Sequence, residues 1–332
     1  MADVAARAGV SRALVSLVFR DLPGASDATR ARVKAVAAEL GYRPHLFARR
    51  LAGRTAGTVG VCVTMRNPFH WGLVECLYAG AAEAGMGLLV SGVGDRRPEH
   101  VALEELLGLR CDGYILLGSL LPDPVVEQVA ARAPVVVLGQ SLGQSLGTGS
   151  ADVVRTDDRM GVELALDYLW GLGHRRIGHL AGASGRSMAA RRTAYEDWMR
   201  RRGLAAQTLA ATDTEAGGRA VAAEFAVTDQ SPTALLAAND RCALGLLDGL
   251  ATRTIRVPAD VSVVGFDDID VASLGSIGLT TVRQDVDAMA AAAWELLRGR
   301  LDDRSLPARE VVLDARLQVR TTAAPPAHRW TP

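Results

Sequence analysis

The chain has 332 residues, with 37 basic and 37 acidic side chains and therefore no net charge at pH 7. No apolar run approaches the roughly eighteen residues that a membrane helix needs, and no signal segment opens the chain. We therefore expect a cytoplasmic protein with no membrane span. The length predicts two or three domains, and the four cysteines, which form no CxxC pair, predict free thiols in a reducing compartment.

The basic residues are concentrated near the N-terminus. Residues 1 to 55 carry ten basic and four acidic side chains, a net charge of +6, so the remaining residues carry −6. A basic segment joined to an acidic body is typical of a nucleic-acid-binding module attached to a different kind of domain.

Two short helices joined by a glycine are predicted within residues 1 to 20. Gly9 ends the first helix, because a residue without a Cβ adopts the left-handed turn conformation at little cost. Ser11 supplies an N-cap hydroxyl, and Leu14, Val15 and Val18 form the apolar stripe of the second helix. The pattern is typical of a helix-turn-helix unit, whose second helix lies in the DNA major groove; an ordinary helical hairpin is the alternative. The outward positions of this helix are Arg12, Ala13, Ser16 and Leu17.

A third helix, capped by Ser26 and running to Leu40, completes a headpiece predicted over residues 1–43. Residues 44–56 predict a hinge helix too short to be stable alone in water. We expect it to fold when two copies pair on DNA, with Leu51 as an apolar wedge in the minor groove. A plain basic linker is the alternative interpretation.

From Thr58 onward, continuous apolar strands alternate with helical segments. The first strand reads TVGVCVT, and later strands read GLLVSGV, GYILLGS, PVVVLGQ, RRIGHLAG, TALLAAN and DVSVVGF. Strands buried on both faces that alternate with helices indicate a doubly wound parallel sheet, and their number predicts two α/β subdomains. The intervening helices are predicted at roughly Trp71–Ala84, Glu99–Leu107, Pro124–Ala131 and Arg191–Arg202.

Several motifs, in order and spacing, resemble the LacI/GalR family of bacterial transcription regulators. They are DVAARAGVS, ATRARVKAVAAELGYRP, ARRLAGR, NPF, CDGYILLGS, GLGHRRIGHLAG, AAND, VPADVSVVGFDDID and LTTVRQD. The resemblance implies a helix-turn-helix headpiece, a hinge helix and a periplasmic-binding-protein-like body over residues 57–322. It implies a homodimer that binds a double-stranded DNA operator of inverted half-sites, most simply as a repressor, and a small effector, sugar-like in its chemistry.

The resemblance also places the boundaries. It implies chain crossings between the subdomains near Gly171, Arg283 and Asp314. The first subdomain then takes residues 57–170 and 286–312, the second takes 171–283 and 313–322, and residues 323–332 form a flexible tail. Leu14, Leu17 and Arg20 stand where the family usually has Thr, Arg and Asn, so the operator sequence cannot be carried over from the family. The other DNA contacts that we expect are Ser11, Arg20, Thr29, Arg49 and Leu51.

The effector site is expected between the subdomains, because ligands of open α/β sheets bind beyond the carboxyl ends of the strands. The residues at those ends are Asn67, Phe69, Ser119, Asn239, Asp240 and Asp267. The family pattern adds Arg191 and Tyr195, and Asp157 and Gln284 flank crossings. Caps, turns or core packing are the alternative roles for several of these residues.

Two other classes of function are compatible with parts of the sequence. A solute-binding protein for transport would explain the body but has no use for residues 1 to 54. A sugar-modifying enzyme is suggested only by Gly139-Gln140-Ser141-Leu142-Gly143, a GxSxG match that repeats at once from Gly143 and precedes no helical pattern, so a loop is the simpler interpretation. The sequence has no Walker loop or HExxH motif, and no cofactor or metal is expected.

Overall fold

The computed structural model describes residues 1–19, 22–42, 57–143, 151–182 and 185–327. It divides into two compact units, Met1–Ala56 and Gly57–Pro332. No helix within the described ranges is both long and apolar enough to cross a membrane. The predicted hinge at 44–56, with Arg49 and Leu51, lies outside the described residues, as does Arg20.

The described part of the first unit contains three helices: α1 (Ala2–Ala8), α2 (Arg12–Phe19) and α3 (Asp27–Glu39). Gly9 follows α1 with φ 64°, the left-handed conformation expected there, and the Ser26 hydroxyl caps α3 by accepting from Thr29 N. The small core of this unit consists of Val4, Ala5, Ala8, Val15, Val18, Val33 and Ala37. Val15 and Val18 belong to the predicted apolar stripe of α2, whereas Leu14, its third member, is only half-buried.

The second unit begins with a lobe built on a six-stranded parallel sheet. Its strands are β1 (Thr58–Thr64), β2 (Gly87–Val93), β3 (Gly113–Leu117), β4 (Val135–Leu138), β5 (Asp152–Thr156) and β11 (Glu310–Leu313), in the order β11-β5-β4-β3-β1-β2. The helices are α4 (Pro68–Glu83), α5 (Glu99–Gly108), α6 (Asp123–Ala130) and α11 (Val286–Asp302). Alternate strand residues face opposite layers: Val61 packs with the core under α4 and α11, and Cys62 with the core under α5.

A second six-stranded sheet forms the other lobe, in the order β12-β10-β9-β8-β6-β7. Its strands are β6 (Ile177–Ala181), β7 (Gln207–Ala210), β8 (Ala234–Ala237), β9 (Ser262–Asp267), β10 (Thr280–Arg283) and β12 (Arg316–Gln318). Its helices are α7 (Asp158–Gly171), α8 (Arg186–Arg201), α9 (Glu215–Glu224) and α10 (Asp240–Thr252). All pairings in this sheet are parallel except that of β10 with β12. The doubly wound prediction is correct, with one antiparallel edge.

The first crossing between the lobes differs from its predicted position. Helix α7 packs on α8, β8, β10 and β12, so it belongs to the second lobe. The chain therefore crosses at Asp157, directly after β5, and not near Gly171. The chain passes between the lobes again at Gln284–Asp285 and at Asp314–Ala315.

The predicted flexible tail begins too early. Ala323 is buried in the core of the second lobe, and Ala324 N donates to Ser262 Oγ while its carbonyl contacts His174 Nε2 at 2.9 Å. The described part of this segment, up to residue 327, is thus attached to the lobe by packing and hydrogen bonds. Residues 328–332 lie outside the described part.

Candidate functional site

The exposed surface of the headpiece lies at the start of α2. Ser11, Arg12 and Ala13 are exposed, and Ser11 Oγ accepts a hydrogen bond from Leu14 N at 3.1 Å, which is an N-cap. Ser16, Leu17 and Thr29 are partly exposed. The structure therefore leaves the predicted base-facing positions of α2 accessible, with the first turn of the helix outermost.

The second unit has a polar cleft between its lobes, with about 140 Å³ of open space. Its walls come from the carboxyl ends of strands in both sheets, as expected for this type of fold. Of the predicted effector residues, the structure brings together Asn67, Phe69, Arg191, Asn239, Asp267 and Gln284.

Arg191, on α8, is the central charge of the cleft and is almost fully buried. Its Nε donates to Asp158 Oδ1 at 2.7 Å and its Nη1 to the Ala238 carbonyl at 2.7 Å, while the guanidinium carbon lies 3.5 Å from the centre of the Phe266 ring. Among the described residues, Nη2 has no protein acceptor. Arg191 is thus rigidly held and keeps one donor group for a ligand.

Asp267, at the end of β9, is the acidic partner of this arginine. Its Oδ1 accepts from Gln284 Nε2 at 2.7 Å and lies 3.6 Å from Arg191 Nη1. Burial raises the pKa of Asp267 to about 7, Arg191 and Gln284 lower it, and the nearby Asp240 and Asp158 raise it. Asp267 has φ 129°, a conformation that side-chain-bearing residues rarely adopt. Backbone strain of this kind tends to occur at binding sites.

The first lobe contributes the beginning of α4. Asn67 Oδ1 accepts from Phe69 N and caps the helix, so α4 begins at Pro68 rather than near Trp71. Phe69 and His70 follow on the first turn, with their ring centres 6.0 Å apart. This wall therefore presents an amide, an aromatic ring and an imidazole to the cleft.

Four predicted effector residues do not line the cleft. The Tyr195 hydroxyl donates to the Ile177 carbonyl inside the core, and burial raises its pKa to about 12. Asp240 is fully buried, accepts from Ile269 N at 2.9 Å and from the Thr281 hydroxyl, and has a pKa raised by burial to about 6. It supports the strained turn after β9.

The other two residues cap or close turns. Asp157 Oδ1 accepts from Met160 N and caps α7, while Ser119 Oγ accepts from Leu121 N. Ser119 follows β3 and Asp157 stands at a crossing between the lobes, but neither side chain lines the cleft. Asn239 combines both roles, because it caps α10, donates to the Asp213 carbonyl and still lines the site.

Several lining residues were missed from the sequence. They are Thr64, His70, Gln140, Ser187, Met188, Asp213 and Arg241. His70 and Arg241 lie one position beyond predicted residues, so the strand-end rule found the right segments but not every side chain. Ser187 was missed because α8 was predicted to begin at Arg191, five residues after its actual start at Arg186. Within the described ranges, no cluster of three metal-ligating side chains is present.

Contacts across the rim of the cleft connect the start of α8 with the first lobe. Arg186 pairs with the Asp123 carboxylate and donates to the Ser141 carbonyl at 3.1 Å. Ser187 Oγ donates to the Gly139 carbonyl at 3.1 Å. We call these the rim contacts; they link α8 of the second lobe to the first lobe.

A headpiece with an accessible second helix, followed by a two-lobed α/β body with a polar cleft, defines a ligand-responsive DNA-binding regulator. The family model of bacterial regulatory proteins of the lacI family matches residues 1–45, and that of the periplasmic binding protein-like domain matches residues 166–323.

The chain is similar to known regulators over most of its length. It is 34% identical over 311 residues to the HTH-type transcriptional regulator GalR of Escherichia coli K12, covering 92% of this chain and 90% of the relative. The lac repressor dimer bound to operator and the anti-inducer ONPF matches with a TM-score of 0.81 and 27% identity, over 97% of this chain and 98% of that one. A LacI family regulator from Enterococcus faecium with bound ribose matches with a TM-score of 0.71 and 25% identity. The match covers 81% of this chain and 99% of that one.

The chain therefore belongs to the lacI family of bacterial regulatory proteins. It is an effector-responsive, DNA-binding transcriptional regulator.

Proposed function

We propose that this regulator is a repressor that binds an inverted-repeat operator as a homodimer and releases or tightens its hold when a sugar-like effector occupies the cleft. One observation carries the proposal: a single chain combines an exposed, N-capped second helix with a buried arginine–carboxylate array in a cleft between two lobes. The operator-bound lac repressor dimer and the ribose-bound Enterococcus faecium regulator are similar proteins that support it. Because DNA is the proposed partner, we place its action in the cytoplasm, at the nucleoid.

The proposed DNA contacts are those of α2 and its flanks: Ser11, Arg12, Ala13, Ser16, Leu17, Arg20 and Thr29, with Arg49 and Leu51 from the hinge. Arg12 is the one basic side chain within the described α2, and it stands in the first turn. Arginine reads guanine by two parallel hydrogen bonds in the major groove. We therefore assign base discrimination to Arg12.

The proposed effector contacts are Asn67, Phe69, Arg191, Asn239, Asp267 and Gln284. Carboxylate, amide and guanidinium groups supply the acceptors and donors that sugar hydroxyls need, and an aromatic ring can pack on a sugar face. We propose that the ligand leaves unchanged, without catalysis.

Binding of the full chain to double-stranded fragments of its own genome tests the DNA half of the proposal. Fluorescence anisotropy should show specific binding whose affinity falls steeply as salt rises, because phosphate contacts release counterions. Arg12→Ala should equalise affinity for specific and scrambled fragments, whereas Arg192→Ala, an exposed position on α8, should change neither. Absence of salt-sensitive binding to any fragment would overturn the proposed function.

A further inference from the structure

A second pocket lies at the opposite end of β4 from the cleft. The cleft is lined by Gly139 and Gln140, which follow this strand, whereas the second pocket is lined by Val135, with which the strand begins. Extended chain of this length separates the two by roughly 13 Å. The pocket has about 270 Å³ of open space. Its described lining consists of apolar residues from the end of α6 and the start of β4, and of two arginines, Arg300 and Arg304.

Arg300, on the last turn of α11, is a buried cation with one nitrogen to spare. Its side chain is only 6% exposed, and its Nε and Nη2 both donate to the carboxylate of Asp152. Nη1 has no acceptor among the described residues. In the described part of the chain, the fully buried side-chain atoms without a partner are His70 Nδ1 and His179 Nε2, so Nη1 of Arg300 is reached from solvent. Because the rest of this side chain is buried, the pocket that it lines is where Nη1 is open.

Arg304 follows α11 and is held by the carbonyls at the end of α6. Its Nη1 donates to the Arg132 carbonyl at 2.9 Å, and its Nη2 donates to the carbonyls of Ala130 and Ala131 at 3.3 and 3.2 Å. A cation in this position satisfies carbonyls that the helix leaves unpaired. Nε of Arg304 has no acceptor among the described residues. Although this residue is exposed, its guanidinium is therefore already ordered and keeps one donor group.

The charge of the pocket is positive. The carboxylate of Asp152 balances one of the two arginines, and no carboxylate is among the described lining residues. Asp303, which precedes Arg304, accepts hydrogen bonds from the backbone N at 2.9 Å and the hydroxyl of Ser305. The carbonyls at the end of α6 already accept from Arg304. One positive charge and two N–H groups thus remain without a partner beside an apolar wall.

We propose that this pocket is a binding site for a small oxyanion, a phosphate or a carboxylate group, which accepts hydrogen bonds from Arg300 Nη1 and Arg304 Nε. Charge-assisted bonds from guanidinium groups are the strong contacts of such anions, and both groups here are fixed by their other bonds. The site shares no residue with the cleft or with the proposed DNA contacts. A bound anion would connect the end of α11 to the end of α6 within the first lobe.

Titration calorimetry on the full chain tests the proposal with sodium phosphate, sodium sulfate and sodium acetate, at an ionic strength held constant with sodium chloride. We expect binding in the millimolar range. Binding of phosphate and sulfate without acetate would assign the pocket to tetrahedral oxyanions, and tighter binding of acetate would assign it to carboxylates. Absence of binding by all three anions would overturn the proposal.

Variants of the two arginines locate the site. Arg304→Ala should weaken binding of the anion at least about tenfold, because it removes a charge and one of the two donors. Arg300→Lys keeps a cation beside Asp152 but has no second nitrogen for the pocket, so it should weaken binding about as much. Arg298→Ala, at an exposed position on the same helix, is the matched control and should bind like the wild type. Thermal unfolding in anion-free buffer checks that each variant folds. Equal anion affinity of the wild type and Arg304→Ala would contradict the assignment.

DNA binding distinguishes a free anion from a phosphate of the DNA backbone. In buffer without phosphate or sulfate, the wild type and Arg304→Ala should bind duplex DNA equally. Weaker DNA binding by Arg304→Ala under these conditions would assign the pocket to the DNA backbone and overturn the proposal of a small anion. Failure of the wild type itself to bind DNA would count against the proposed function alone, since the anion titrations need no DNA.

Discussion

Arg191 illustrates how much depends on single residues in this cleft. One guanidinium is surrounded by the buried carboxylates of Asp158, Asp240 and Asp267, of which it contacts the first and the last. Burial of more negative than positive charge favours proton uptake by one of the carboxyls. Asp267, which has the higher pKa of the two shifted groups, is the residue where this uptake should be observed.

We expect Asp267→Asn to change how stability depends on pH. The folded protein holds the Asp267 proton up to about pH 7, whereas an unfolded carboxyl releases it near its ordinary value of 3.8. Folding therefore binds a proton in this window, and the wild type should lose stability relative to Asp267→Asn as pH rises from about 5 to 8. Melting temperatures of both proteins across this range measure the difference. His70 and His179, whose pKa values burial lowers, are present in both proteins, so their contributions to the pH dependence cancel in the comparison.

Asp229→Asn, at an exposed loop position, is the control and should leave the pH profile of the wild type unchanged. If the melting temperatures of the wild type and Asp267→Asn differ by the same amount at every pH in this range, Asp267 is ionised throughout.

Position at the carboxyl end of a strand was enough to find residues that line the cleft. Asn67 and Asn239 follow β1 and β8, and Asp267 ends β9; all three line the cleft, and their contacts with an effector stay predictions. The rule cannot tell which of two adjacent side chains turns inward, because that depends on the cap and the local φ. Asp240 was therefore placed in the cleft although it supports the wall from behind, and His70 was missed.

The element scale shows what periodicity leaves undetermined. No helix was predicted over 158–171, and the resemblance assigned that stretch to the first lobe, yet α7 forms there and packs on the second sheet. The apolar stripe of an amphipathic helix shows that one face is buried, but it does not show which of two sheets that face packs on. The strands, by contrast, were found because their continuous apolar runs leave one interpretation, burial on both faces.

The rim contacts make a prediction about the start of α8. Arg186→Ala and Asp123→Ala should each destabilise the protein by about 1 kcal/mol, and the double variant by less than their sum, with a coupling of roughly 0.5–1 kcal/mol. Urea denaturation of the four proteins in the cycle measures this. Arg192→Ala, which removes an exposed pair with Glu196 on the same helix, should show no coupling to Asp123→Ala. If the destabilisations of Arg186→Ala and Asp123→Ala simply add in the double variant, the Arg186–Asp123 ion pair does not form in solution.

The packing of α9 against α10 depends on glycine. A Cβ at Gly245 would overlap the backbone of Glu215, and one at Gly218 would overlap that of Cys242. Gly245→Ala should therefore destabilise the protein by about 2–4 kcal/mol, since backbone on both sides must move apart. Gly72→Ala, within α4 where a Cβ meets nothing within 4 Å, should stabilise by about 0.5–1 kcal/mol. Thermal unfolding of the Gly245→Ala and Gly72→Ala proteins measures both changes in stability. Equal changes for the two variants would contradict the close contact between α9 and α10.

At the scale of the whole molecule, effector and operator binding are linked by thermodynamics. If a sugar weakens operator affinity by a given factor, the operator must weaken sugar affinity by the same factor, and a corepressor would strengthen both equally. Sugar titrations with and without saturating operator, compared with operator titrations with and without sugar, should give one coupling factor. Asp267→Ala should abolish sugar binding and leave operator affinity unchanged. Two unequal factors would indicate a second binding site.

The three crossings between the lobes also determine when the protein can fold during synthesis. Helix α11 covers the first sheet and β11 closes its edge, while β12 and the segment through Ala324 complete the second sheet. Neither lobe is finished until β11, β12 and the segment through Ala324 have left the ribosome. A nascent chain halted before residue 286 leaves the apolar layer under α11 uncovered, so ribosome-bound intermediates should depend on chaperones until this helix and these strands have emerged.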